Sequence, residues 1–126
     1  MNAIDHLFKN QKYLNLETFR KNGMGVRTPV WFVQDDDTLF VRTIADSGKV
    51  KRIRNKSGVN IAPCKMDGAL LGDWVHAVAR EVRDQEVDRK VDKLLGKKYG
   101  ILKNVFYMAG GSSNRKYTTL AMKVSE

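Results

Sequence analysis

Apolar and polar positions in this chain fall into short alternating runs, separated by two clear stretches of helical period. Lys12 to Lys21, Thr38 to Ile44, Val59 to Met66, Trp74 to Val82 and Arg115 to Val124 read as strands. Within the last two, Trp74, His76, Val78, Arg80 and Val82 share one face, as do Leu120, Met122 and Val124. Val26 to Gln34 reads as a further strand. It is nearly continuous in apolar residues, which predicts cover on both faces, with core on one side and a ligand or partner on the other. Pro29 lies inside it and cannot donate to a ladder. That residue belongs at an edge, at a bulge, or beside something other than a strand.

The helical stretches are equally bounded. Asp46-Ser47-Gly48 predicts a helix start running to about Asn55, with Ser47 or Asp46 as cap and Val50 and Ile53 as the buried side. Asp84 predicts the start of a longer helix with the stripe Val87, Val91, Leu94 and Leu95, ending at Gly100. Ala3 to Gln11 carries one apolar face, Ile4, Leu7 and Phe8, suited to capping an open barrel end. Asn22-Gly23 predicts a tight hairpin and Asp67-Gly68 a turn. Asp35-Asp36-Asp37 reads as a solvated hairpin tip, because it lacks the glycine and the spaced ligands of a calcium loop. Ala109 to Ser113 reads as a flexible connector, or as a cover for a substrate pocket. Six strands with mostly hairpin connections predict a mainly β chain. The expected architecture is an antiparallel barrel with peripheral helices, in a single domain over residues 1–126.

Composition narrows the class. The 126 residues are 42% hydrophobic and 29% charged, as in ordinary globular proteins. No apolar stretch is long enough for a membrane span, and no basic-then-apolar leader is evident, so the expected location is cytoplasmic. The one cysteine, Cys64, excludes an internal disulfide; it reads as a small apolar strand residue after Ile61-Ala62 rather than as a redox thiol. The net charge of +9 favours anionic partners: nucleic acid, an anionic membrane, or phosphate-bearing cofactors and substrates.

One constellation gives that charge a chemistry. A helix starting near Ser47 has unpaired backbone N–H groups and a positive dipole end, where a phosphate fits. Gly48 lets a phosphate approach the backbone, and Lys49 and Arg52, three residues apart, can both reach it. Arg42 and Thr43 close the preceding strand, and Arg27 and Thr28 lie on the neighbouring one. On spacing alone, Lys49, Lys51, Arg52, Arg54 and Lys56 could equally be a solvated face.

The order of these pieces resembles the pyridoxamine 5'-phosphate oxidase-like superfamily of split β-barrel flavin-binding proteins, in its branch of probable F420-dependent enzymes. The resemblance spans roughly residues 10 to 124. It rests on Lys12-Tyr13-Leu14, Thr18-Phe19-Arg20, Thr28-Pro29-Val30-Trp31-Phe32-Val33 and Leu39-Phe40-Val41-Arg42-Thr43. It continues through Ala45 to Asn55, Val59 to Cys64, Gly72-Asp73-Trp74-Val75 and Ala77-Val78-Ala79-Arg80. The resemblance implies a six-stranded antiparallel split β-barrel and a homodimer with cofactor sites at the subunit interface. It implies that Lys49 and Arg52 hold the cofactor phosphate with Ser47, and that Thr28, Pro29 and Val30 line the ring system with Arg42 and Thr43. Trp74 would join the site, from the partner subunit. The implied chemistry is hydride transfer between F420, or FMN, and a small organic substrate. Some relatives in that branch bind cofactor without turnover, so binding is the firmer implication.

No nucleophile–base pair is evident in the sequence, and neither His6 nor His76 has a metal-ligand partner. A cofactor that carries the hydride chemistry asks the protein mainly for positioning and electrostatics. The rival class is a basic barrel binding single-stranded nucleic acid, with Trp31, Phe40, Trp74, Tyr107 and Tyr117 as stacking aromatics. Core or dimer-interface packing accounts for the same aromatics. A haem-binding barrel ranks third, since only two histidines are available as axial ligands.

Overall fold

The computed structural model describes residues 3–100 and 116–125. The Ala109–Ser113 loop and Tyr107 lie outside the described residues. The elements are α1 (Ala3–Phe8), β1 (Tyr13–Phe19), β2 (Gly25–Trp31), β3 (Val33–Asp35), β4 (Thr38–Ile44), α2 (Gly48–Asn55), β5 (Gly58–Cys64), β6 (Val75–Val82), α3 (Gln85–Tyr99) and β7 (Tyr117–Val124).

The strands form one antiparallel sheet in the order β2-β1-β5-β6-β7-β4-β3. Its two end strands, β2 and β3, are consecutive in the chain and separated only by Phe32. The sheet therefore curls round until its ends are joined covalently, which makes it a barrel. Alternation sets the faces. Leu14, Leu16, Leu39, Val41, Val59, Ile61, Ala77, Ala79, Leu120 and Met122 fill the interior. Ile4 and Phe8 of α1 and Val50 and Ile53 of α2 join the same cluster, so these helices plug the barrel. A second cluster lies outside the sheet. Val33, Phe40, Val82 and Ala121 pack there under Val91, Leu95 and Tyr99 of α3.

Helix boundaries follow local chemistry. The Asp84 carboxylate accepts hydrogen bonds from Glu86 N–H at 2.8 Å and Val87 N–H at 3.4 Å, and Gly100 closes α3 with φ 57°. Gly23, at φ 89°, supplies the left-handed position in the β1–β2 turn. Asp35-Asp36-Asp37 lies at the β3–β4 turn, where Asp36 adopts φ 56°.

Two expectations are corrected. The strand expected over Val26 to Gln34 is two strands, β2 and β3, so the sheet has seven strands among the described residues rather than six. The outer cover of its second half is α3 of the same chain, which packs on Trp31 and Val33, rather than a ligand. Pro29 pairs opposite Asn15 on β2, a strand with a neighbour on one side only, which is where its missing donor is harmless. No helix among the described residues is long and apolar enough to cross a membrane.

Candidate functional site

The barrel closure is incomplete. β3 pairs with β4 from Asp35↔Thr38 to Val33↔Phe40, and the ladder stops there. Beyond it, among the described residues, β2 pairs only with β1, and the stretch of β4 from Val41 to Ile44 pairs only with β7. Two strand edges thus face each other without a ladder between them. An edge without a ladder can offer backbone donors and acceptors to a third party. Thr28, Pro29 and Val30 sit half-buried on one edge, and Thr43 lies buried on the other.

This split ends where β4 runs into α2. Ser47 is the N-cap, with extended backbone at φ −69° and ψ 158°, yet its side chain makes no capping bond. The Ser47 Oγ is buried and has no hydrogen-bond partner among the described residues. A buried hydroxyl without a partner is costly, and here it sits beside the unpaired N–H groups of a helix start. No acidic residue occupies the first turn of α2.

Cations collect at the same place. Arg52 Nε donates to Thr18 Oγ1 at 2.7 Å, which anchors its guanidinium at the end of β1. The guanidinium folds back over Gly48, where a Cβ would stand 2.7 Å from Nη1. Glycine is thus the residue that leaves room beneath the cation. Burial lowers the Lys49 pKa from its ordinary value, and the neighbouring Arg52 lowers it further. Arg52 is lowered by burial and by Arg20. No salt bridge joins Arg20, Lys49 or Arg52 to a carboxylate among the described residues. Asp46, the nearest acid in sequence, is exposed and makes no such bridge.

Ser47, Lys49 and Arg52 are therefore brought together as their spacing suggested, and Arg20 and Thr18 join them. Arg20 lies in a segment that carries the resemblance but was not assigned to the site. Thr18 carried a signal, being the polar member of the inward series Leu14, Leu16, Thr18.

Arg42 goes elsewhere. Its neighbours Val41 and Thr43 face the interior side, so Arg42 faces out, under α3. There its guanidinium donates to Asp92 Oδ1 at 2.8 Å, to the Asp88 carbonyl at 2.8 Å and to Asp88 Oδ1 at 3.2 Å. With Gln85, Arg89, Lys93 and Tyr117, these residues line a groove of about 690 Å³ along α3, separate from the α2 cluster. Trp74 lies just before β6, and the Arg27 guanidinium stacks 4.8 Å from its ring centroid. Arg27 is held in turn by Glu17 Oε2 at 2.9 Å. Trp74 is thus in a contact of its own chain, on the outer side of β2.

The other candidate chemistries find little support in the geometry. Phe40 is buried beneath α3, and Trp31 has one ring face stacked on Tyr99 with centroids 4.3 Å apart. His76 Nδ1 lies 2.9 Å from Ser125 Oγ, and His6 is exposed on α1. Cys64 is buried, and burial raises its thiol pKa, with Asp67 adding to the rise.

No protein-family model matches the chain, and no curated protein matches its sequence. Solved structures do match its fold. HutZ, the heme storage protein from Vibrio cholerae, is similar with TM-score 0.73 and 19% identity, over 98% of this chain and 88% of that one. A FAD-binding protein from Mesorhizobium loti gives 0.71 and 13%, over 100% and 91%. An F420 reductase gives 0.62 and 14%, over 100% and 96%. The chain has the split-barrel fold of pyridoxamine 5'-phosphate oxidase-like proteins.

Proposed function

We propose that this chain binds a flavin or deazaflavin cofactor, FMN or F420, and serves hydride transfer to or from a small organic substrate. One observation carries the reading: a cation cluster at a helix start with no carboxylate partner among the described residues, beside two strand edges that no ladder joins. A phosphate-bearing planar cofactor presents both complements, an anion and a flat ring edged with donors and acceptors.

The residues fit such a group. The orphaned Ser47 Oγ, the first N–H groups of α2, Lys49 and Arg52 would hold the phosphate. Arg20 would add to the field. Thr28, Pro29 and Val30 would border the ring from β2, with Thr43 across the split. Arg42, committed to Asp88 and Asp92, is left out of this set. Bound in place, the cofactor would supply the hydride chemistry, so the protein's task is binding, orientation and exclusion of water. We further infer a homodimer, whose partner subunit would cover the exposed side of the split. Trp74 of one protomer would then reach the site of the other.

The test is a titration of purified protein with FMN, F420 and riboflavin, beside a single-stranded oligonucleotide at two salt concentrations. The expected result is FMN or F420 binding that exceeds riboflavin binding. Lys49→Ala should weaken it by about 1.5 kcal/mol or more, the loss of a charged hydrogen bond. Oligonucleotide binding with a steep salt dependence, and no affinity for either cofactor, would replace this reading with the nucleic-acid one. The solved structure of similar fold that stores haem makes haem a further arm of the titration.

A further inference from the structure

The split begins where the β3–β4 ladder stops, at Val33↔Phe40. Continuing its register beyond Val33↔Phe40 would pair Phe32 with Val41. The backbone of Phe32 is occupied instead by the last turn of α3. Its N–H donates to the Tyr99 hydroxyl at 3.0 Å. Its carbonyl accepts from Lys98 Nζ at 2.8 Å and lies 2.9 Å from the Tyr99 hydroxyl. That hydroxyl also lies 2.7 Å from the carbonyl of Lys12, just ahead of β1. It has one proton to give, so it donates to Lys12 or to Phe32 at any moment. Lys98 keeps the Phe32 carbonyl bound in both cases.

Packing fixes the same two side chains. The Tyr99 ring is buried and stacks on Trp31 at an interplanar angle of 7°. The Lys98 ammonium sits 3.5 Å from the centroid of the Phe32 ring. Phe32 itself is locked in the core, edge-on to Phe8. A single residue is thus pinned through its side chain from inside and through its backbone from outside. These bonds commit the Phe32 backbone to α3 rather than to Val41 of β4.

We propose that Tyr99 and Lys98 are positioning residues that hold the β2–β4 cleft open for a planar ring. They would set affinity for the ring without touching it. This rests on reading that cleft as the ring site. The clip grips the closed end of the cleft, at Phe32, whereas the cation cluster lies at the other end, where β4 meets α2. Ring affinity and phosphate affinity should therefore respond separately.

The experiment compares Tyr99→Phe, Lys98→Met and Lys98→Arg with the wild-type chain. Calorimetric titrations with FMN, F420 and inorganic phosphate are read beside the visible circular dichroism of the bound cofactor. Tyr99→Phe is expected to raise the FMN or F420 Kd about tenfold, the scale of one lost buried hydrogen bond. It should also change the visible dichroism and leave the phosphate Kd unaltered. Lys98→Met should act in the same direction, and Lys98→Arg, which keeps a cationic donor, should restore most of the affinity. Should Tyr99→Phe fail to fold, the two Lys98 variants carry the comparison. Unchanged cofactor affinity and dichroism would overturn the inference. So would parallel losses of cofactor and phosphate, which would mark a general loosening of the barrel. A wild-type chain that binds phosphate but neither FMN nor F420 would overturn the cofactor reading and this inference together. That outcome is seen before any variant is made.

Discussion

Replacing Arg42 by Met should destabilise the barrel and leave cofactor binding intact. The Arg42 side chain is 12% exposed, while its partners Asp88 and Asp92 are 49% and 51% exposed. Once freed, both carboxylates can return to water, so neither pair is a buried one. Each is worth about 0.2–1 kcal/mol, the range for exposed ion pairs. The bond to the Asp88 carbonyl adds about 1 kcal/mol. Arg42 regains hydration when the chain unfolds, which offsets part of this sum. Met keeps the length and packing of the stem. The net loss is about 1.5 kcal/mol, and for a chain this size that lowers Tm by roughly 5–9 °C. The assay is a thermal melt at low and high salt, paired with a cofactor titration. Because the carboxylates are half-exposed, the difference in Tm should shrink at high salt. An unchanged Tm with a large rise in cofactor Kd would refute the argument. It would place Arg42 on the cofactor, as the family resemblance implied.

Three further outcomes are expected. Asp84→Ala removes two capping bonds to Glu86 and Val87 and should cost about 1 kcal/mol, read by denaturant unfolding; an unchanged midpoint would show the cap to be idle. Burial holds the Lys98 pKa down to about 8 from an ordinary 10.5. Between those values the unfolded chain binds more protons, so stability should rise with pH across that window. Melts from about pH 7 to about pH 9.5 should show the rise in the wild-type chain and lose it in Lys98→Met; equal slopes would count against the shift. The Cys64 thiol, buried and raised, should react slowly with a thiol reagent in the native chain and rapidly after unfolding. Equal rates in the two states would contradict its burial.

The ends of α3 were legible because capping is local: Asp84 and Gly100 are sufficient signals by themselves. The inward and outward faces of most strands were legible for the same reason. The break at Phe32 was not, because alternation runs through it undisturbed. Val30 packs on the interior, Trp31 under α3, Phe32 in the interior and Val33 under α3. The cause lies in Tyr99, 67 residues away in sequence, and no local pattern records it. Arg42 is a different case, its guanidinium being bonded to Asp88 and Asp92. Adjacent strand residues face opposite sides, so the side chains of Arg42 and Thr43 leave a straight β4 in opposite directions. That constraint was available in the sequence.

The distribution of charge carries the argument a step further. Arg27, Arg54 and Lys90 are at least half exposed, yet each is paired with a carboxylate: Glu17, Glu81 and Asp35. Lys49 and Arg52 are more sheltered, both with pKa values lowered first by burial, and among the described residues neither is paired. A surface charged only for solubility would be arranged the other way. Exposed cations are well served by water, and sheltered ones are those that need a counter-charge. The excess of +9 is therefore not an even coat. Two of its members without a carboxylate partner among the described residues, Lys49 and Arg52, sit where shelter makes that most costly, near the orphaned hydroxyl of Ser47. An anion arriving there would lower that cost and raise the Lys49 pKa toward its ordinary value.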